Sequence, residues 1–228
     1  MYYFLVKYIY IYINTNLYKI IIIGDSGVGK TCLLNRYIYE NFDENTTCTV
    51  GAAYFTKKIK LDSDNIIEIQ FWDTAGQERY KACVPFFMRN CKSIILVYDI
   101  SCPNLENLSG WINFIKDKSK EDKYDNVYLI GNKIDLVKEI PEKTIEEISK
   151  RCENFIREDN IFVTSAKNGK NINIIFNKIL SNVKKDTPIY NTEEANILNN
   201  GIVSLDEDAE LSSTVGIKSI LTSCCYKN

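Results

Sequence analysis

Gly24-Asp25-Ser26-Gly27-Val28-Gly29-Lys30-Thr31 is the stretch that decides the fold. It follows the β-branched run Ile20-Ile21-Ile22-Ile23 and leads into a helical pattern, so a glycine-rich turn joins a strand to a helix. Glycines let successive backbone N–H groups turn inward at a helix N-terminus, forming a cradle for phosphate oxygens. Lys30 then supplies a cation for the β and γ phosphates of a nucleotide, and the Thr31 hydroxyl can ligate Mg²⁺. A loop of this kind serves ATPases, kinases and GTPases alike, and alone leaves all three open.

Outward from this loop, short β-branched runs alternate with helical stretches. Strands are expected over 17–23, 53–61, 66–72, 93–99, 126–131 and 161–164. Helices are expected over 30–39, 104–118, 141–157 and 172–184, and Asp62-Ser63-Asp64-Asn65 reads as a hairpin turn between the second and third strands. Strands separated by helices imply an α/β fold with a mostly parallel sheet covered on both faces. The domain is expected over 17–185. The Tyr- and Ile-rich residues 1–16 are interrupted by Lys7 and too short for a membrane span, so they read as a disordered extension or a start-site artefact. Residues 186–228 lack helical or strand period and read as a flexible tail.

Composition narrows the chemistry. The 228 residues contain no histidine, which excludes a histidine-based triad, metal site or pH switch. A net charge of −2 offers no field for nucleic acid, which is not an expected partner. The eight cysteines lack the paired spacing of a zinc site and fit a reducing compartment; the first six are expected to act as small buried or half-buried hydrophobes.

Three further motifs follow strands. Trp72-Asp73-Thr74-Ala75-Gly76-Gln77-Glu78 places Asp73 at a strand's carboxyl end, where a carboxylate can hold the magnesium hydration shell. Gly76 can bring its N–H against a γ-phosphate, and Gln77 can orient a water. Asn132-Lys133-Ile134-Asp135 supplies a carboxylate able to accept from N1–H and the 2-amino group of guanine, a donor pair that adenine lacks. Thr164-Ser165-Ala166-Lys167 can add a backbone N–H to the guanine O6 and a lysine stem along the ring. Asp135 and the absence of a lid-like insertion argue against a kinase or ATPase.

Together these motifs resemble the Ras superfamily, and GDSGVGKT, WDTAGQE, GNKID and TSAK resemble specifically the Rab family of membrane-traffic GTPases, over 18–185 and the last five residues. The resemblance implies a six-stranded P-loop G domain with five helices and two nucleotide-sensitive switch segments. It makes Thr49 the first switch's threonine, contacting Mg²⁺ with Thr31 and Asp73, and sets Phe42 on the guanine ring. Cys32, Asp43 and Glu44 complete the implied nucleotide contacts, and the second switch runs over 75–90. Val50-Gly51-Ala52-Ala53-Tyr54-Phe55 is similar to the early-endosomal subgroup, with Tyr54, Trp72 and Phe87 as an exposed aromatic triad for effectors. Phe87-Met88 stands where that subgroup usually carries tyrosines, which leaves partner identity open.

The resemblance further implies a monomer cycling between GDP and GTP on the cytoplasmic face of endosomal or vesicle membranes. Its partners are an exchange factor, an activating protein that supplies an arginine, a prenyl-binding escort, a GDP-dissociation inhibitor and effectors. Hydrolysis relies on Gln77, Lys30 and Thr49. Cys224-Cys225 resembles the double geranylgeranylation signal, while the acidic tail offers no polybasic second anchor. The rival expectation is a GTP-bound scaffold that does not cycle.

Overall fold

A computed structural model describes residues 17–60, 66–121, 123–186 and 202–203. The strands are β1 (Leu17–Ile23), β2 (Ala52–Lys60), β3 (Ile66–Thr74), β4 (Ser93–Asp99), β5 (Asn126–Asn132), β6 (Ile161–Val163) and β7 (Ile202–Val203). The helices are α1 (Lys30–Tyr39), α2 (Val84–Met88), α3 (Leu105–Lys118), α4 (Glu142–Cys152) and α5 (Ile172–Asp186). The sheet order is β6-β5-β4-β1-β3-β2-β7. β1 pairs in parallel with both β3 and β4, and among the described residues only the β2–β3 pair is antiparallel.

The apolar runs are explained by this topology. β1 and β4 lie at the centre of the sheet with helices on both faces, so neither face can be polar. In β4 every residue from Ser93 to Tyr98 is buried. Alternation along β1 divides the core. Ile21 and Ile23 join Ile94 and Leu96 under α3 and α4, whereas Ile20 and Ile22 join Ile95 and Val97 under α1 and α5. In the second layer Tyr37 of α1 stacks on Phe176 of α5 with ring centroids 3.7 Å apart, and Phe71 of β3 meets both rings edge-on at 5.9 and 5.8 Å. The aromatic cluster thus binds two helices to the sheet.

The expected α/β sheet of six strands and the five helices are present, with three corrections. The helix expected over 141–157 ends at Cys152. Glu153 leaves the helical region with ψ 133°, Asn154 takes φ 62°, and the Cys152 carbonyl accepts from both Phe155 and Ile156 N–H. Asparagine tolerates the left-handed conformation and so stops the helix, although Ile156 continues its apolar pattern into the core. Of the first six cysteines, Cys91 and Cys152 are buried and Cys32 is half-buried, but Cys48, Cys83 and Cys102 are exposed because loops and a helix end carry them. The tail, expected to lack regular structure, contributes Ile202 and Val203 beside Lys58 and Ile59. β2 is otherwise an edge strand with unpaired backbone groups, and a β-branched pair suits such an edge. The expected hairpin turn at 62–65, the extension 1–16 and the rest of the tail lie outside the described residues. Among the described residues no helix is long and apolar enough to cross a membrane.

Phe176 is fully buried and touches both aromatic partners. Phe176→Ala is expected to lower unfolding stability by about 3–5 kcal/mol, measured by urea denaturation of the GDP-loaded protein.

Candidate functional site: a phosphate cradle joined to a base pocket

The four nucleotide motifs lie at the carboxyl ends of the parallel strands, around the point where the order reverses about β1, which is where open α/β sheets bind ligands. The glycine-rich loop leaves β1 and enters α1 through Gly24, Gly27 and Gly29 with φ of 140°, 76° and 90°. A side chain at Gly24 would collide with the Val97 carbonyl oxygen, and one at Gly29 with Asn132 Nδ2, 2.4 Å away. α1 has no side-chain cap, so its first N–H groups remain available to an anion.

Lys30 is 5% exposed, and its Nζ donates to the Gly24 carbonyl at 2.9 Å and the Asp25 carbonyl at 2.7 Å. Burial lowers its pKa to about 8, against the opposing attraction of Asp73 and Asp25. Two neutral carbonyls hold the ammonium without neutralising it, which leaves its charge for an incoming phosphate. Gly76 lies against this group, since a Cβ there would be 2.4 Å from Lys30 Nζ and 2.3 Å from the Asp25 oxygen.

Asp73, at the end of β3, is fully buried. Its Oδ2 accepts from the Thr31 hydroxyl at 2.6 Å and the Thr49 hydroxyl at 3.3 Å, and the two hydroxyls are 2.8 Å apart. Its Oδ1 has no hydrogen-bond partner, and burial raises its pKa despite the help of Thr31 and Lys30. A buried carboxylate with one unsatisfied oxygen beside two hydroxyls is the oxygen-only donor set that suits magnesium. Thr31, Thr49 and Asp73 therefore fit the ion, either directly or through its water shell.

The base side is built around Asn132 rather than displayed by it. Asn132 Nδ2 donates to the Val28 carbonyl at 2.9 Å and its Oδ1 accepts from Ala166 N–H at 3.1 Å, tying the phosphate loop to the loop after β6. The Ser165 hydroxyl donates to Asp135 Oδ1, which orients the carboxylate. Lys133, at φ 68°, pairs with Asp99 Oδ2 at 2.7 Å. Lys167 pairs with Glu44 at 2.6 Å and so draws the segment carrying Phe42 and Asp43 toward the base loop. A cleft of about 240 Å³ runs between the phosphate loop, the segment from Phe42 to Thr49 and the end of β3; Ser26, Gly27, Cys32, Phe42, Thr49 and Gln77 are among its walls.

The sequence-derived nucleotide, metal and catalytic residues among those described thus gather on the loops at the carboxyl ends of the strands, whereas the aromatic triad lies apart from them on β2, β3 and α2. Tyr54 and Trp72 are cross-strand partners on β2 and β3 with centroids 5.6 Å apart, and Trp72 is 6.0 Å from Phe87. Tyr54 is exposed, while Trp72 and Phe87 rest half-buried on the core. Sequence reasoning missed three supports. Arg36 donates to the Ala166 and Lys167 carbonyls at 2.8 and 2.6 Å, Asp99 holds Lys133, and two residues of α3 hold Asp25. Only Asp99, an acid at a strand's carboxyl end, carried a recognisable signal.

The Ras family model matches residues 19–185. The chain belongs to the Ras family. It is 37% identical over 164 residues to the GTP-binding protein ypt5 of Schizosaccharomyces pombe, covering 71% of this chain and 75% of that protein. It is 35% identical to the Ypt/Rab-type GTPase YPT7 of Saccharomyces cerevisiae, covering 72% and 80%, and 36% identical to the Ras-related protein Rab-11C of Dictyostelium discoideum, covering 73% and 72%. It is a Rab-type small GTPase that uses GTP, GDP and Mg²⁺.

The lowered pKa of Lys30 has a measurable consequence. In the empty cradle the amine loses its proton above about pH 8, whereas bound phosphates favour the charged form. GDP affinity is therefore expected to fall as pH rises through 8, with uptake of about half a proton per GDP at pH 8 and little at pH 7. Calorimetry in buffers of different ionisation enthalpy reads this directly; no uptake at pH 8 would contradict it.

Proposed function

We propose that this Rab-type GTPase is a regulated switch of endocytic vesicle traffic, attached by two lipid chains to the cytoplasmic face of endosomal or vesicle membranes. The observation that carries the switch reading is the convergence of Thr31, Thr49 and Asp73 beside Lys30 and Gly76. One ion site draws on the phosphate loop, the first switch and the end of β3, so nucleotide state and switch position are coupled. The endocytic part rests on Val50-Gly51-Ala52-Ala53, similar to the early-endosomal subgroup.

In the reaction, the loop N–H groups and Lys30 bind and orient the β and γ phosphates. Asp135 accepts from the guanine N1–H and 2-amino groups, with Phe42 and the stems of Lys133 and Lys167 against the ring. Gln77 and the Thr49 carbonyl hold the attacking water in line with the γ-phosphorus, and the Gly76 N–H donates to a γ-oxygen. Thr31, Thr49 and Asp73 would hold magnesium, which would supply charge neutralisation at the phosphates. Intrinsic hydrolysis of this kind runs on the order of 10⁻⁴ to 10⁻³ per second, and an arginine from an activating protein accelerates it by up to about 10⁵. An exchange factor, a GDP-dissociation inhibitor and effectors complete the cycle, the effectors docking on Tyr54, Trp72 and Phe87.

Gln77→Leu is expected to reduce single-turnover phosphate release by about tenfold or more while leaving GDP affinity within about twofold. Hydrolysis at the parental rate would remove Gln77 from the mechanism. For the membrane, Cys224→Ser with Cys225→Ser is expected to move the protein to the soluble fraction, since one chain gives only marginal anchoring and the acidic tail adds no second attraction. A double variant that still sediments with membranes would exclude lipid attachment at these cysteines.

A further inference from the structure

Asp25 is an unexpected residue for a loop that must embrace polyphosphate, because its charge opposes the ligand's. Its carboxylate is held by α3. The indole N–H of Trp111 donates to Asp25 Oδ1 at 2.8 Å, and Asn107 Nδ2, one helical turn earlier, donates to Oδ2 at 3.0 Å. Both carboxylate oxygens are thus satisfied by neutral donors outside the cradle.

The same residue's peptide oxygen accepts from Lys30 Nζ at 2.7 Å, and it is the atom a Cβ at Gly76 would meet at 2.3 Å. Asp25 therefore grips α3 with its side chain and the phosphate-binding lysine with its backbone, and its backbone abuts the glycine of the second switch. Trp111 itself is buried, with 5% exposure, and the second switch reaches it independently, with Lys81 Nζ 4.7 Å from the indole centroid. One indole thus contacts the glycine-rich loop through its N–H and the second switch through its ring face.

We propose that Trp111 and Asn107 are positioning residues for nucleotide binding and hydrolysis. They fix the Asp25 peptide and through it the Lys30 ammonium, and Trp111 couples the second switch to the cradle through Lys81. This rests on Lys30 being the phosphate-binding cation. Hydrogen bonds to a charged group are the strong class, so losing one releases the peptide that aims the lysine. The ring–cation contact adds an attraction that depends on where the second switch lies.

The test uses the full chain loaded with GDP or GTP. Trp111→Phe keeps a ring under Lys81 and removes the N–H, while Asn107→Ala alters an exposed side chain and leaves the core intact. Each is expected to speed GDP dissociation and slow single-turnover hydrolysis by about tenfold. A merely structural role for the indole predicts that Trp111→Phe and Asp25→Ala add; positioning through Asp25 predicts that the double variant is no worse than Asp25→Ala alone. Parental rates for both Trp111→Phe and Asn107→Ala, or additive losses, would overturn the proposal.

Lys30→Ala separates the two levels. If it binds GDP normally, the reading of the cradle fails; if it loses binding while Trp111→Phe and Asn107→Ala behave as the parent, only the α3 anchor fails. The chain has two tryptophans, so Trp72→Phe leaves Trp111 as the sole indole. Its emission is expected to differ between the GDP form and a form with a non-hydrolysable GTP analogue, and to lose that difference in Lys81→Ala. Identical emission in the two nucleotide states would exclude the coupling.

Discussion

A positive charge confined beneath a glycine-rich loop is the constraint on which the remainder of the molecule depends. Lys30 is almost inaccessible to water and is met by two carbonyl oxygens, with the carboxylates of Asp73 and Asp25 near enough to pull its proton affinity back up but not bonded to it. Burying an ammonium without a counter-ion is costly unless the fold supplies that energy elsewhere. Here the supply is the surrounding α/β core, in which β1 is covered on both faces and α1 is bound to α5 by the Tyr37–Phe176 stack. The rigid strand and helix on either side hold the loop open, and the charge in it is stabilised most when phosphate arrives.

The sheet order explains why so few residues suffice. Because β1 sits between β3 and β4, the ends of three neighbouring parallel strands present Gly24, Asp73 and Asp99 along one edge, and β5 and β6 extend that edge with Asn132 and Thr164. Phosphate, metal and base contacts are then separate loops on one frame. Asn132 prevents them from drifting apart, since its amide is bonded to the phosphate loop on one side and the base loop on the other. Replacing it would disturb both subsites although neither depends on it for charge.

The elements legible in the sequence were those in which local pattern and tertiary role agree. The buried parallel strands announced themselves as isoleucine-rich runs, and the glycines between β1 and α1 were readable because their backbone angles admit little else. The end of α4 was not legible, because apolar spacing continues through Phe155 and Ile156 after the helix has stopped at a left-handed Asn154. The exposed cysteines were misjudged for a related reason, since residue type predicts burial only where regular structure carries it inward. Within the site, residues that face the ligand lie in recognisable motifs, whereas Arg36, Asn107 and Trp111 act across long sequence separations and resemble ordinary helix residues.

The alternation of a strand links the chemical site to the recognition surface. Asp73 and Trp72 are consecutive on β3, so one points to the cleft and the other to the opposite face, where it meets Tyr54 across the register with β2. β2 begins just after Thr49, and the Gly51 carbonyl accepts from Ala75 N–H at 2.8 Å, tying the first switch to the second. Val50 and Tyr54, close in sequence to this bond, are exposed, and so is Phe86 on α2 beside Phe87. If the γ-phosphate and its magnesium hold Thr49 against Thr31 and Asp73, they also hold the residues that follow it in the extended pairing that presents Tyr54 beside Trp72. On that reading, loss of the phosphate would loosen Thr49, and the nearest part of the molecule to feel it would be this apolar face. On the proposed reading, a partner that recognised the face would sense nucleotide state through a few residues of continuous backbone, without any rearrangement of the core.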